Sequence, residues 1–267
     1  MVLPAKLCMP VVDASQLLQR AQLFDLLDGA GDAPGIWVSG PPGAGKTVLV
    51  QTWLQARKFA ALWYRVDHSD ADPATLPHYL RLAADGVAPG LAQRLPALTS
   101  DRRGNLEAFA SDFFSPLFEA MTATSNSSDR RSSAAPAKTP VLVFDNIDEA
   151  CDSEPFARLL AAAVECVQPG AVRIVIVGRS EPSGPFARLC AHERLVLVDP
   201  RRLRLTEREA LELVALRRVG RAPLREDQVL RLHNWCEGWI SGLVLASVQA
   251  PDALPAELAT LARDRIF

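Results

Sequence analysis

One stretch of the sequence has the residue types and spacing of a phosphate-binding loop. The stretch is Gly40-Pro41-Pro42-Gly43-Ala44-Gly45-Lys46-Thr47. In such a P-loop, glycines let the backbone amides wrap the phosphates, the lysine neutralises them and the threonine hydroxyl binds Mg²⁺. An apolar run precedes the stretch and a helical pattern follows it, as the motif requires. We therefore predict that these eight residues and Val48 bind ATP or ADP, with Thr47 as a magnesium ligand.

A second motif supplies another candidate magnesium ligand. Val141–Asp145 consists of four apolar residues followed by a carboxylate. The carboxylate would lie at the carboxyl end of a strand, where ligand sites of α/β proteins are found. Such a strand is also a common structural pattern, and the P-loop upstream is what favours the functional interpretation. We predict that Asp145 is the second magnesium ligand, in the Walker B position.

Three charged residues near these motifs are candidates for catalysis. Asp148 and Glu149 follow the second motif, where either one could activate the attacking water. Alternatively, they form a solvated acidic turn before the next helix. Arg179 follows an apolar run at 172–177, from which its side chain could reach the γ-phosphate. The alternative for Arg179 is an ordinary surface arginine.

The elements that must position these residues alternate between short apolar runs and longer helical patterns, an order typical of α/β proteins. The predicted strands are Ile36–Ser39, Ala61–Val66, Val141–Asp145, Val172–Val177 and Leu195–Val198. We expect a P-loop NTPase fold with a five-stranded parallel sheet, covered by helices on both faces. A small helical domain should follow.

We expect three units, at residues 1–30, 31–200 and 201–267. Thr122–Pro140 is rich in Ser, Thr, Ala and Pro and lacks aromatic residues, so it is predicted to be a disordered insertion in the second unit. The third unit opens at Thr206 with a capping box. Its last helical pattern starts near Pro255 and has no terminal Gly or Asn, so we expect the chain to be a fragment of a longer protein.

Composition argues against several other classes of protein. The 29 basic and 31 acidic residues leave a formal net charge of −2, which gives no overall attraction to nucleic acid. The cysteines and histidines lack the spacing of a zinc site or of a hydrolase triad. There is no signal peptide and no apolar stretch of membrane-spanning length. We expect a cytoplasmic protein with no membrane partner.

In their order along the chain, these motifs resemble the STAND class of P-loop ATPases. More specifically, they are similar to the nucleotide-binding module of MalT-like, LuxR-family transcriptional activators. The P-loop, Trp63–Asp67, Gly178–Pro182 and Cys236–Leu243 carry most of this resemblance, which covers nearly the whole chain. Gly178–Pro182 looks like the arginine-bearing sensor segment of the family, which favours a catalytic role for Arg179.

The resemblance implies a nucleotide-controlled switch. ADP would hold a closed monomer, ATP with an inducer would permit self-association, and slow hydrolysis would reset the switch. DNA would be bound only by a carboxyl-terminal domain that is absent from this chain. Residues 1–30 would pack near the nucleotide base, with Arg20 among the nucleotide-binding residues.

Two positions depart from the family pattern. Asn146 stands where the family has a second acidic residue, and Ile240 stands where a proline is frequent. The first departure predicts weak hydrolysis, and the second predicts an altered contact to the nucleotide base.

Two other functions stay open. One is a P-loop kinase or motor with rapid turnover, and the other is an interaction scaffold that nucleotide stabilises without useful hydrolysis.

Overall fold

The computed structural model of the chain describes residues 3–10, 17–31, 33–129, 138–219 and 222–249. Its centre is a sheet of five parallel strands in the order β2-β3-β4-β1-β5. The strands are β1 (Gly35–Ser39), β2 (Ala61–Arg65), β3 (Val141–Asp145), β4 (Arg173–Gly178) and β5 (Leu195–Val198). The predicted five-stranded parallel sheet of an α/β fold is thereby confirmed.

Helices connect the strands and continue beyond the last one. The helices are α1 (Ala21–Asp28), α2 (Lys46–Arg57), α3 (Thr75–Val87), α4 (Leu91–Arg94), α5 (Leu106–Asp129), α6 (Glu154–Cys166), α7 (Pro185–Ala191), α8 (Glu207–Arg217), α9 (Glu226–Trp235) and α10 (Ile240–Gln249). Short 3₁₀ turns occupy Ala5–Leu7, His68–Ala71 and Ile147–Glu149. Within the described ranges, no helix is both long and apolar enough to cross a membrane.

The core lies on both faces of the sheet. Along β3, Leu142 and Phe144 belong to one hydrophobic cluster, whereas Val141 and Val143 belong to another. Because side chains alternate along a strand, the two clusters lie on opposite faces. Helices α3, α5 and α6 cover the first face, and α1 and α2 cover the second. Every residue of β3 is buried, as expected for an inner strand covered on both sides.

The strand register brings the predicted site residues to one edge of the sheet. Asp145, the last residue of β3, lies beside Val177 near the end of β4. Gly178, the last residue of β4, lies beside Ser39 at the end of β1. The segments that leave β1, β3 and β4 therefore start next to one another. They contain the P-loop, the acidic turn and Arg179.

The three helices after the sheet share a hydrophobic cluster of their own, which includes Leu213, Val229 and Leu243. The predicted capping box at the start of α8 is confirmed. The hydroxyl of Thr206 accepts a hydrogen bond from the Glu209 amide at 3.3 Å, and the Thr206 amide donates to Glu209 Oε2 at 2.8 Å. The division of the chain into three domains stays a prediction.

The structure corrects the first part of the predicted disordered insertion at Thr122–Pro140. Residues up to Asp129 continue α5, and the hydroxyl groups of Thr122 and Thr124 bond to backbone carbonyls of other segments. Thr122 Oγ1 donates to Ala171 O at 2.9 Å, and Thr124 Oγ1 donates to Val87 O at the same distance. The polar composition suggested disorder, but these hydroxyl groups find hydrogen-bond acceptors in distant parts of the chain. Residues 130–137 lie outside the described residues, as does the helix predicted near Pro255.

A buried lysine anchors the amino-terminal segment to the end of β2. Lys6 Nζ lies 2.7 Å from Asp70 Oδ2 and 2.9 Å from Asp67 Oδ1. The side chain of Asp70 is fully buried and also accepts a hydrogen bond from Tyr64 Oη at 2.5 Å. Lys6 further lies over the Tyr79 ring, 4.9 Å from its centroid. The amino-terminal segment is thus held by a desolvated charge pair.

We predict that Lys6→Met lowers the free energy of unfolding by about 3 kcal/mol, because it leaves the Asp70 carboxylate buried without its countercharge. Urea denaturation monitored by circular dichroism measures this change. The control is Arg158→Met, which breaks an exposed ion pair with Glu107 and should have little effect. Equal stability of Lys6→Met and the unchanged chain would contradict the prediction.

Candidate nucleotide-binding site

The P-loop runs from the end of β1 to the first residue of α2, as predicted. Gly43 and Gly45 have φ angles of 76° and 80°, a region that favours glycine. A Cβ atom on Gly43 would lie 2.3 Å from Ser241 Oγ, and one on Gly40 would lie 2.9 Å from a methyl carbon of Leu203. Glycine is therefore required both by backbone conformation and by close neighbours.

The side chain of Lys46 bonds to the backbone of the P-loop. Its Nζ donates hydrogen bonds to Gly40 O at 2.5 Å and to Pro41 O at 3.0 Å. Burial lowers the pKa of Lys46, and the negative charges of Asp148 and Asp145 partly offset that effect. The ammonium group is thus bonded to two loop carbonyls and lies close enough to Asp145 and Asp148 to be influenced by their charges. Helix α2 begins at this residue, so its first amides also favour an anion at this position.

The two predicted magnesium ligands contact each other. Thr47 Oγ1 donates to Asp145 Oδ1 at 3.0 Å. Burial raises the pKa of Asp145, while the Thr47 hydroxyl and the positive charge of Arg65 act in the opposite direction. Hydroxyl and carboxylate oxygens fit Mg²⁺, which commonly takes one or two protein ligands and completes its shell with phosphate and water. The pair therefore fits a nucleotide-bound magnesium ion.

Asp148 and Glu149 lie next to this pair but make other contacts. The carboxylate of Asp148 accepts hydrogen bonds from the backbone amides of Arg179 at 2.6 Å and of Ser180 at 3.2 Å. Glu149 lies 3.3 Å from Arg179 Nη2 and 2.8 Å from His68 Nε2. The structure thus brings the three predicted catalytic residues, Asp148, Glu149 and Arg179, into one cluster. Their catalytic roles stay predictions.

Asn146 occupies a backbone conformation that suits its side chain. Its φ angle is 67°, in the left-handed region where asparagine is one of the more tolerated residues. Its Nδ2 donates to Val66 O at 3.4 Å, which links the segments that leave β3 and β2. At this position the side chain has an amide in place of a carboxylate, so it adds no general base to the site.

Arg20 connects the amino-terminal segment to the carboxyl-terminal helices. It is 6% exposed and lies in an ion pair with Glu209, with Nε and Oε1 2.8 Å apart. Its other nitrogens donate to Leu203 O and Arg204 O at 2.8 Å. Burial by itself raises the pKa of Glu209, but the bonds from Arg20 and Thr206 hold that pKa below its ordinary value. A role of Arg20 in nucleotide binding stays a prediction.

The sequence did not predict that α10 and the turn before it contact the P-loop. Trp239 Nε1 donates to Pro42 O at 3.1 Å. The Ser241 hydroxyl and the Ser241 amide both donate to Gly43 O, at 3.0 and 3.2 Å. Ile240 packs so closely that a Cβ on Gly45 would lie 2.6 Å from its methyl carbon. The sequence pointed to this contact only indirectly, through the predicted contact of Ile240 with the nucleotide base.

A parallel sheet with a P-loop after β1 and a threonine–aspartate pair between that loop and β3 defines a P-loop NTPase. Comparison with family models gives the more specific assignment. The chain belongs to the family described as Nephrocystin 3, N-terminal, whose model matches residues 14–179. The matched range contains the P-loop and Asp145 and ends at Arg179.

Curated relatives refine this assignment. The chain is similar to the "HTH-type transcriptional regulator MalT" of Cronobacter sakazakii, with 26% identity over 250 residues. It is 24% identical over 251 residues to the protein of the same name from Klebsiella pneumoniae. Each match covers 94% of this chain and 25% of the relative. The chain is thus a STAND-type P-loop ATPase of the MalT type, and it spans a quarter of the length of these relatives.

Solved structures of RuvB from Thermotoga maritima are also similar. Two variants of that protein give TM-scores of 0.46 and 0.45, each with 12% sequence identity. Each match covers 92% of this chain and 70% of the RuvB chain.

We predict that Lys46→Ala weakens ATP binding about a hundredfold, because the main mobile countercharge of the phosphates is lost. A charge-assisted hydrogen bond contributes about 1.5–3 kcal/mol, and about 2.7 kcal/mol corresponds to this factor. Isothermal titration with ATP and Mg²⁺ measures it. The control is Lys58→Gln, which removes a positive charge just beyond the other end of the same helix. Unchanged affinity in Lys46→Ala would contradict the assignment of the site.

Proposed function

We propose that this chain is the nucleotide-controlled switch module of a transcriptional regulator. It binds ATP or ADP through the P-loop, with Mg²⁺ held by Thr47 and Asp145. It hydrolyses ATP slowly and self-associates in the ATP state. The MalT-type relatives support the regulatory part of this proposal, because they are named as HTH-type transcriptional regulators.

The observation that carries the proposal is the direct bonding of the P-loop to the carboxyl-terminal helices. Trp239 and Ser241 donate to the backbone carbonyls of Pro42 and Gly43, within the loop that would surround the phosphates. A nucleotide that changes the position of this loop necessarily changes these bonds. Nucleotides with different affinities for the bonded and released arrangements shift the equilibrium between them.

A second contact holds the same helices to another part of the chain. Arg20 pairs with Glu209 at the start of α8 and bonds to the backbone just before it. The carboxyl-terminal helices are therefore attached both to the P-loop and to the segment that precedes α1. We infer that this arrangement is the closed form, and that its release exposes the surface used for self-association.

The acidic residues near the site support slow hydrolysis. A general base must be within reach of the attacking water and free to accept its proton. Asp148 instead accepts two backbone amide hydrogen bonds, and Glu149 pairs with Arg179 and His68. Asn146 adds no carboxylate. Hydrolysis would then require these contacts to rearrange first, which favours a switch over a rapidly turning-over kinase or motor.

We place DNA binding outside this chain. The formal net charge of −2 gives the chain no overall attraction to the phosphate backbone. In a longer protein of the MalT type, the helix-turn-helix would belong to the part of the relatives that this chain does not match. The nucleotide module would then control promoter binding through assembly.

We predict that ATP with Mg²⁺ stabilises the chain by about 2.7 kcal/mol at a hundred times its dissociation constant. Turnover under the same conditions should stay below about one per second. A thermal-shift series and a phosphate-release assay measure the two quantities. Asp148→Asn and Glu149→Gln should change only the residual turnover. Rapid turnover that persists in the double variant would exclude the slow switch.

We predict that the magnesium-dependent part of this stabilisation is lost as the pH falls through the raised pKa of Asp145. A protonated carboxyl is neutral and binds Mg²⁺ poorly. Because burial raises the pKa of Asp145, the loss should begin at a higher pH than for an ordinary aspartate. Thermal shifts at several pH values, with and without Mg²⁺, measure this. Asp145→Asn should show no magnesium-dependent part at any pH, and a wild-type pH profile in that variant would contradict the assignment.

We predict that Trp239→Phe combined with Ser241→Ala favours the released arrangement. Each lost hydrogen bond contributes about 1 kcal/mol, so the equilibrium should shift about tenfold or more. Analytical ultracentrifugation with ATP should then show self-association at lower protein concentration. Ser153→Ala is the control, since it removes a side-chain bond to Ala71 O elsewhere on the surface. Identical assembly of the double variant, the control and the unchanged chain would contradict this coupling.

A further inference from the structure

A cavity of about 490 Å³ lies beside the edge strand β2, away from the P-loop. Its wall includes Lys58 just beyond the end of α2, Ala61 at the start of β2 and Pro140 just before β3. These positions are at the amino-terminal ends of the strands, whereas the P-loop and Asp145 lie at the carboxyl-terminal ends. The cavity is therefore separate from the nucleotide site. Its volume is within the range of small-molecule pockets.

Most of the cavity wall is apolar, and several parts of the chain besides β2 contribute to it. Helix α2 contributes Leu54, α3 contributes Val87 and α5 contributes Met121. The amino-terminal segment contributes Leu3 and Met9, which are 41% and 37% exposed. Large apolar side chains exposed around a concave surface are typical of a binding site. An apolar ligand would remove them from water.

One polar group in the wall indicates what else the ligand must carry. Lys58 is the sole charged side chain in the wall and has no ion pair within the part of the chain that the structure describes. Its charge complements an anionic group at the mouth of the cavity.

We propose that this cavity binds a small organic anion with an apolar body, such as a medium-chain carboxylate. The apolar body occupies the space between α2, α3 and α5. The anionic group lies near Lys58. This binding function is independent of the nucleotide proposal, because the two sites use different residues.

A glycine in the wall allows the cavity to be filled by substitution. Gly86 lies in α3, and a Cβ placed on it would meet no atom within 4 Å. Leucine at this position therefore has room to extend into the cavity, and it removes a helical glycine that costs roughly 1 kcal/mol relative to alanine. Gly104 is the matched control, since its Cβ also meets no atom within 4 Å and it is not part of the cavity wall.

Decanoate is the probe, and isothermal titration of the 267-residue chain measures its binding. We expect one saturable site. Gly86→Leu should weaken binding at least about tenfold without lowering the melting temperature, while Gly104→Leu should bind like the unchanged chain. Lys58→Gln should weaken decanoate binding by up to about fivefold and leave binding of the neutral analogue decanol unchanged.

Three results would overturn the proposal. The first is an absence of saturable decanoate binding. The second is equal affinity of the unchanged chain and Gly86→Leu. The third is a clear fall in the melting temperature of Gly86→Leu but not of Gly104→Leu, which would show that another part of the chain fills the cavity. Equal loss of decanoate and decanol affinity in Lys58→Gln would overturn the anionic character of the ligand.

Discussion

The hydrogen bond between Thr47 and Asp145 is the contact on which the site depends. It joins the first residues of α2 to the end of β3, although the two residues are 98 positions apart. The bond is possible only because β1, β3 and β4 are parallel and in register, so that their carboxyl ends meet at one edge. Burial of the charged Asp145 carboxylate costs free energy and raises the pKa of this group. A magnesium ion would offset that cost.

The same edge of the sheet supports the proposed link between nucleotide binding and assembly. The P-loop presents backbone carbonyl groups to neighbouring segments. Trp239 and Ser241 use two of these carbonyls, while Arg20 fixes the start of the same helical unit. The carboxyl-terminal helices are therefore hydrogen-bonded directly to the loop predicted to bind the phosphates. A difference of a few kcal/mol between nucleotides is enough to change the balance between the proposed closed and released forms.

The strands and the helix cap could be predicted from the sequence, because short runs of neighbouring residues determine them. Apolar runs bounded by turn residues predicted all five strands, and the Thr206 capping box was confirmed at the predicted residue. Composition was less reliable for Thr122–Pro140, where the first residues continue a helix. Thr122 and Thr124 bond to Ala171 and Val87, and no property of a polar segment indicates that such distant acceptors exist.

The sequence by itself determined that the chain has a P-loop and an aspartate-terminated strand, since residue type and spacing alone carry these motifs. Only the tertiary structure decided that Asp148 bonds to the backbone at Arg179, that Arg20 pairs with Glu209 and that Ser241 reaches Gly43. Each of these contacts joins residues at least 31 positions apart. Their existence depends on strand order, register and the docking of whole helices, and none of these is encoded in the residues flanking either partner.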